Sequence, residues 1–283
     1  NFGWLSTYDS LMFFMNPKLP DRFYNIFNID TGKEIGTFCY RGSGPGEVAA
    51  LGPIFHFFKE KGDLKTLLFA PNEEKLFIWN ITQSIKRDTT VMDKQISYPW
   101  REENGGAPYY LMFLKDENTL ITELQSFPLN DKEATLPAYQ KRTLDTNKLL
   151  KSFSSYKKSI RNDEASILPE SFFYSNDAIK PDGTKVVQAM VHLAQLNILD
   201  LETGHVSGYR LEGEPDFSVF KSDEKIKSYF TRVQADDNYI YAVYWGKERW
   251  ERFETPHMNI IHVYDWDGNL VQKIETDYSI GQM

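Results

Sequence analysis

The 283 residues predict an all-β fold: a β-propeller of four-stranded antiparallel blades, six-bladed in the intact protein, with about five blades visible in this chain. Three observations carry that expectation. Phe, Tyr and Trp make up 15% of the chain and sit in short alternating runs bounded by Asp, Asn, Gly and Lys, the pattern of half-buried strands. Turn-forming clusters recur at residues 30, 80, 145, 200 and 265, intervals of 50, 65, 55 and 65, which fits blade spacing with insertions. Each cluster also sits inside a set of four strands, a recurrence that a β-sandwich does not require.

The strand before each turn is read at residues 23–29, 75–80, 138–144, 195–199 and 259–264. The turns themselves are Asp30-Thr31-Gly32-Lys33, Asn80-Ile81-Thr82-Gln83, Asp145-Thr146-Asn147-Lys148, Asp200-Leu201-Glu202-Thr203-Gly204 and Asp265-Trp266-Asp267-Gly268-Asn269. Asp and Asn side chains bond their own downstream backbone and Gly or Asn accepts a positive φ, so each is a hairpin candidate. Outer strands follow at 34–38, 89–92, 149–153, 206–211 and 270–274, and a further strand precedes each unit's turn strand at 10–15, 66–69, 119–124, 185–191 and 239–244. Innermost strands are read at 54–58, 110–114, 172–179 and 230–235, leaving the first unit without one. Residues 1–283 are therefore expected to be a single propeller domain, incomplete at one or both ends, since an open propeller would expose a long sheet edge.

Composition closes several functional classes. At 41% hydrophobic and 25% charged, the chain is neither disordered nor fibrous. Lys and Arg total 32 against 40 Asp and Glu, a net charge of −8, the opposite of a nucleic-acid footprint. No run reaches the roughly 18 apolar residues of a membrane helix. Cys39 is the single cysteine, so an internal disulfide framework and a cysteine zinc cluster are both excluded. The chain opens Asn1-Phe2-Gly3-Trp4, with no initiator Met or signal pattern, which reads as a processed or trimmed form.

Between the first and second units lies Arg41-Gly42-Ser43-Gly44-Pro45-Gly46-Glu47. A phosphate loop needs free amides and a following helix, whereas Pro45 lacks an amide and residues 48–53 do not start a helix. The segment reads as a tight turn with Arg41 and Glu47 placed to pair across it. Its Gly-x-Gly-Pro-Gly-Glu pattern resembles the TolB-like six-bladed β-propeller family of Bacteroidetes. That resemblance implies export to the periplasm or to the outer membrane and cell surface, often with a lipid anchor upstream of the propeller, and no established biochemical activity.

Catalytic chemistry has little signal. The histidines at 56, 192, 205, 257 and 262 show no zinc-type spacing, and there is no Gly-x-Ser-x-Gly nucleophile elbow. No catalytic residue and no cofactor are assigned. The candidate ligand-binding residues are Arg41 and Glu47 of the glycine loop, His56 just after it, Trp100 and Arg101 in a rim loop over 98–109, and Tyr244, Trp245, Arg249 and Trp250 in the aromatic stretch 239–253. Aromatic faces beside Arg suit a protein or a glycan, although His56 and Trp100 also suit plain packing, and Tyr239, Tyr241 and Val243 alternate as packing residues. The function expected is a non-enzymatic binding or scaffold propeller of the bacterial cell envelope. The alternative is a divalent-cation-dependent hydrolase or lactonase holding calcium in the central channel. Asn80-Ile81-Thr82 is also an N-glycosylation triplet.

Overall fold

The computed structural model describes residues 3–44, 46–100, 107–125, 138–154, 174–211, 213, 226–248, 251 and 258–281. They form five four-stranded sheets, each in simple meander order. The first contains β1 (Trp4–Tyr8), β2 (Leu11–Met15), β3 (Arg22–Asn28) and β4 (Glu34–Tyr40). The second contains β5 (Phe57–Glu60), β6 (Asp63–Ala70), β7 (Lys75–Asn80) and β8 (Met92–Ser97), with helix α1 (Ile81–Arg87) between its last two strands. The third contains β9 (Ala107–Asp116), β10 (Thr119–Gln125), β11 (Ala138–Thr143) and β12 (Leu149–Ser154). The fourth holds β13 (Ser175–Ile179), β14 (Lys185–Met190), β15 (Gln195–Asp200) and β16 (Val206–Arg210), and the fifth β17 (Lys227–Ala235), β18 (Tyr239–Glu248), β19 (Ile260–Asp265) and β20 (Leu270–Glu275). Two compact units result, residues 1–125 with 140–151 and residues 126–139 with 152–283.

In the first unit, β6 shows how the sheets stack. It is buried along nearly its whole length, and its side chains divide between two separate cores. Leu64, Leu68 and Ala70 join Phe13, Tyr24, Ile26 and Phe38 of the first sheet, while Leu67 and Phe69 join Met112, Leu114 and Leu120 of the third. Strand side chains alternate between faces, so the second sheet is packed on both sides. A sandwich has one shared interior; radially stacked blades have one interior per neighbour. In the second unit, Val187, Ala189, Leu196 and Ile198 of the fourth sheet pack on Phe230, Val233, Ile240 and Ala242 of the fifth.

The turns at 200 and 265 follow the expected chemistry, whereas in the first turn Asn28 rather than Asp30 accepts from the Thr31 amide, at 2.8 Å. Asp200 Oδ1 accepts from the amides of Glu202 and Thr203, and Asp265 Oδ1 from those of Asp267 and Asn269. Gly204 and Gly268 supply the positive φ that closes these two turns. Asn80 departs furthest: its side chain caps α1 by accepting from the Gln83 amide at 3.0 Å. Lys86 and Arg87 then suit the negative end of the helix. The outer strand of this sheet consequently begins at Met92 rather than at residue 89, and the helix interrupts the expected hairpin.

Two further expectations change. The first sheet does have an innermost strand, β1, whose exposed Trp4 and Leu5 gave it no clear alternation in sequence. In β18 the packing differs from the one read from its tyrosines, although Val243 is buried as expected. Ile240 and Ala242 are fully buried, while Tyr239 is exposed and Tyr241 donates to Asp236 Oδ2 at the strand's start.

Candidate functional site

The glycine loop is built around the carboxylate of Glu47. Glu47 Oε2 accepts from the Gly44 amide at 2.9 Å. A Cβ at Gly42 would stand 2.0 Å from that same oxygen, and one at Gly44 3.1 Å from it. A Cβ at Gly42 would therefore push this carboxylate aside, so the glycines leave the loop room to close on the Glu47 side chain. Arg41 and Glu47, expected to pair, do not do so among the described residues. The Arg41 guanidinium lies over the Phe23 ring at 4.3 Å, beside a second such contact between Arg22 and Tyr40 at 3.8 Å. Stacking on rings at the sheet end and the Gly44 amide outcompete an exposed ion pair, which is worth little in water. Gly42→Ala is expected to cost about 1–2 kcal/mol, because φ of +155 strains any other residue and the carboxylate is expelled. Urea unfolding of the variant measures it.

The loop leads into a connection tied down at every step. The Val48 amide donates to Tyr40, the Ala49 amide to Glu73 Oε1, and the Gly52 amide to Phe69. The Tyr24 hydroxyl donates to the Gly52 carbonyl. Under this connection lies a cavity of about 210 Å³ lined by Cys39, Tyr40, Gly46, Val48, Leu51 and Phe77 and by four residues of β8, Met92 to Gln95. Its floor is apolar, and Asp93, Lys94 and Gln95 are exposed at its rim. Cys39 holds a φ of +64 within β4, which turns its amide out of the ladder toward the Thr90 hydroxyl at 2.8 Å. Burial pushes the Cys39 thiol well above its usual pKa, so it is no nucleophile.

The remaining sequence candidates lie mostly in packed surroundings. His56 rests against Phe113 with ring centroids 4.0 Å apart. Trp100 packs edge-on to Phe69 and donates to the Pro71 carbonyl at 3.0 Å. Tyr244 and Trp245 belong to β18 itself; Trp245 is buried, and Tyr244 stacks on His262 at 4.3 Å. Arg101, Arg249 and Trp250 lie outside the described residues. The structure brings Arg41 and Glu47 into one loop and Tyr244 and Trp245 into one strand, and these sets belong to different units.

Sequence reasoning missed three clusters. In the second unit, His262 is 4% exposed, enclosed by Phe230, Tyr244 and Tyr264, with Nδ1 3.0 Å from the Tyr264 hydroxyl. Also there, the buried Gln188 amide donates to the Tyr139 hydroxyl, which bonds Asp177. In the first unit, the buried Lys65 ammonium bridges Glu60 and Asp93. The only signal for any of them was a polar residue at an inward strand position.

His262 gives the fold a pH dependence. Burial first, and the charge of Lys273 second, push its pKa down to about 4. The unfolded chain takes up this proton below about pH 6.5, the folded chain only near pH 4. Stability therefore falls as pH drops through that window, by about 2 kcal/mol between pH 7 and 5. His262→Phe should show a correspondingly shallower slope in urea unfolding at the two pH values.

Among the described residues, no group of three or more His, Cys, Asp or Glu is placed to hold a metal ion. Nor is any helix among them long and apolar enough to cross a membrane. Residues 5–283 match the family model described as TolB-like 6-blade propeller-like. The chain is similar in structure to a protein of Bacteroides fragilis described as exported, with a TM-score of 0.52 and 13% identity over 98% of this chain and 71% of that one. It is also similar to a member of the DUF4221 family from Bacteroides vulgatus, with a TM-score of 0.56 and 13% identity over 96% of this chain and 81% of that one. At this identity the likeness is one of fold. No curated protein matches the chain.

Proposed function

We propose, from the premise that the chain belongs to the TolB-like 6-blade propeller-like family, that it is a non-enzymatic binding propeller of the bacterial cell envelope and that its ligand is a protein. The observation that carries this reading is the cavity beneath the glycine loop. At about 210 Å³ it falls below the roughly 300–1,000 Å³ of small-molecule and cofactor sites. An apolar floor with a charged rim suits one anchoring side chain of a partner, the usual core of a protein interface. His56 and His262 are packed against aromatic rings, and burial pushes the basicity of both down to about 4. Export of the Bacteroides fragilis neighbour supports placement in the periplasm or at the outer membrane.

The test is capture by the immobilised chain from a solubilised Bacteroides envelope fraction, in parallel with a glycan array. A reproducible protein partner is expected. Empty results from both would remove the reading, and glycan binding alone would change the ligand class. Stoichiometric divalent metal together with EDTA-sensitive turnover of an ester or lactone panel would replace it with a hydrolase.

A further inference from the structure

The cavity of the first unit meets β8 at its edge. Side chains on a strand alternate, so a cavity against one face is lined by every second residue. Here Met92, Asp93, Lys94 and Gln95 line it consecutively, as do Cys39 and Tyr40 on β4. A register shift of β8 opposite Ile78 and Trp79 and the positive φ of Cys39 bring these consecutive residues together; β4 and β8 are both outermost strands, so the cavity lies in a groove at the margins of the two sheets.

The register of β8 shows what that edge offers. The Tyr98 amide donates to the Glu74 carbonyl, and β8 runs opposite β7 with Ile96 facing Leu76 and Gln95 facing Phe77. Bonded and non-bonded pairs alternate in an antiparallel ladder. Residues 94 and 96 therefore bond to β7, and Gln95 and Ser97 direct their backbone N–H and C=O away from the sheet. The charges at the rim are unequal. Asp93 is held by the Lys65 ammonium at 2.5 Å and accepts from the Asn80 amide group at 2.9 Å. Lys94 is exposed and makes no ion pair among the described residues, its field reaching Asp145.

We propose that this groove captures an extended segment of a partner protein as an added strand on β8. One aliphatic side chain of that segment enters the cavity against Val48, Leu51 and Phe77, and an acidic residue beside it meets Lys94. The proposal rests on the binding-module reading above and names the chemistry of the partner at that same site. The space is sufficient, since a dry cavity of about 150 Å³ already accommodates benzene. Main-chain hydrogen bonds would supply affinity, the pocket and Lys94 the selectivity.

The probe is an acetylated, amidated nonapeptide of strand-forming residues with a central Leu-Glu pair, followed by fluorescence anisotropy on the full chain. Exchange of its Leu for Ala, or of its Glu for Lys, should weaken binding about tenfold or more. Gln95→Pro should abolish binding with an unchanged melting temperature, because that N–H lies outside the ladder and proline is tolerated on an edge. Lys94→Glu should reverse the preference toward the Lys peptide, which keeps the test decisive if the proline variant is unstable. Equal binding by wild type and both variants, or no preference among the peptides, would overturn the proposal. Self-association of the chain that Gln95→Pro abolishes would also overturn it, making the occupant a second copy. A captured envelope protein that both variants retain would discard the groove and leave the binding reading standing; no protein and no glycan bound by wild type would discard both.

Discussion

Replacing Trp79 with alanine is expected to destabilise the first unit by about 3–5 kcal/mol. Trp79 is fully buried, with ring centroids 6.2 Å from Phe13, 5.5 Å from Tyr24 and 6.1 Å from Phe38. With Leu64, Leu68 and Ala70, it is one of the contacts through which the second sheet meets the first. Its indole N–H donates to Ser84 Oγ at 2.9 Å, and Ser84 in turn donates to the Asn80 carbonyl and accepts from Val91. Truncation would leave a cavity and a buried hydroxyl with a lost partner, two costs that add. Since a folded domain is typically stable by only about 5–15 kcal/mol, a loss of this size should be plain in equilibrium urea unfolding. Trp79→Phe should recover most of the packing but not the Ser84 hydrogen bond, and so fall between the two.

Lys65→Met should cost about 3 kcal/mol, although it makes the site more apolar. The ammonium sits 2.5 Å from both Glu60 and Asp93, with its side chain 7% exposed. Removing it strands two carboxylates beside each other, and breaking a buried pair costs far more than replacing the whole set. The Glu60 and Asp93 side chains are 41% and 31% exposed, which softens the penalty by leaving them partly hydrated. Adding Glu60→Gln and Asp93→Asn to Lys65→Met should restore most of the stability. If the triple variant unfolds as readily as the single one, the loss comes from packing of the lysine stem rather than from charge.

Much of the architecture was legible because sheet meanders leave local marks. Asp200 and Asp265 each close a turn within four residues, so their role follows from short-range hydrogen bonding that sequence displays directly. Asn80 has an equally short side chain with an accepting oxygen, yet it caps a helix, with Trp79 and Ser84 buried together beside it. β1 escaped notice for the opposite reason, with Trp4 and Leu5 exposed where an apolar residue normally marks a core face. The candidate site was read in part. The glycine loop stood out as a motif, but its purpose depended on where the Glu47 carboxylate lies, and the cavity lies at the margins of two sheets brought together only in three dimensions. Nothing local in β8 announces that neighbourhood.

The interior position of Asn80 has a practical corollary for making this protein. Its amide nitrogen donates to Asp63 at 3.0 Å and to Asp93 at 2.9 Å, and the residue is 3% exposed. Oligosaccharide transfer to Asn-x-Thr acts on that same nitrogen while the nascent polypeptide is still extended. Secretion from a eukaryotic host would therefore place a sugar tree on an atom that must later be enclosed, trapping the product in quality control. Bacterial production, or Thr82→Ala in a eukaryotic host, avoids the conflict, though the alanine surrenders the hydrogen bond that Thr82 Oγ1 accepts from the Leu64 amide.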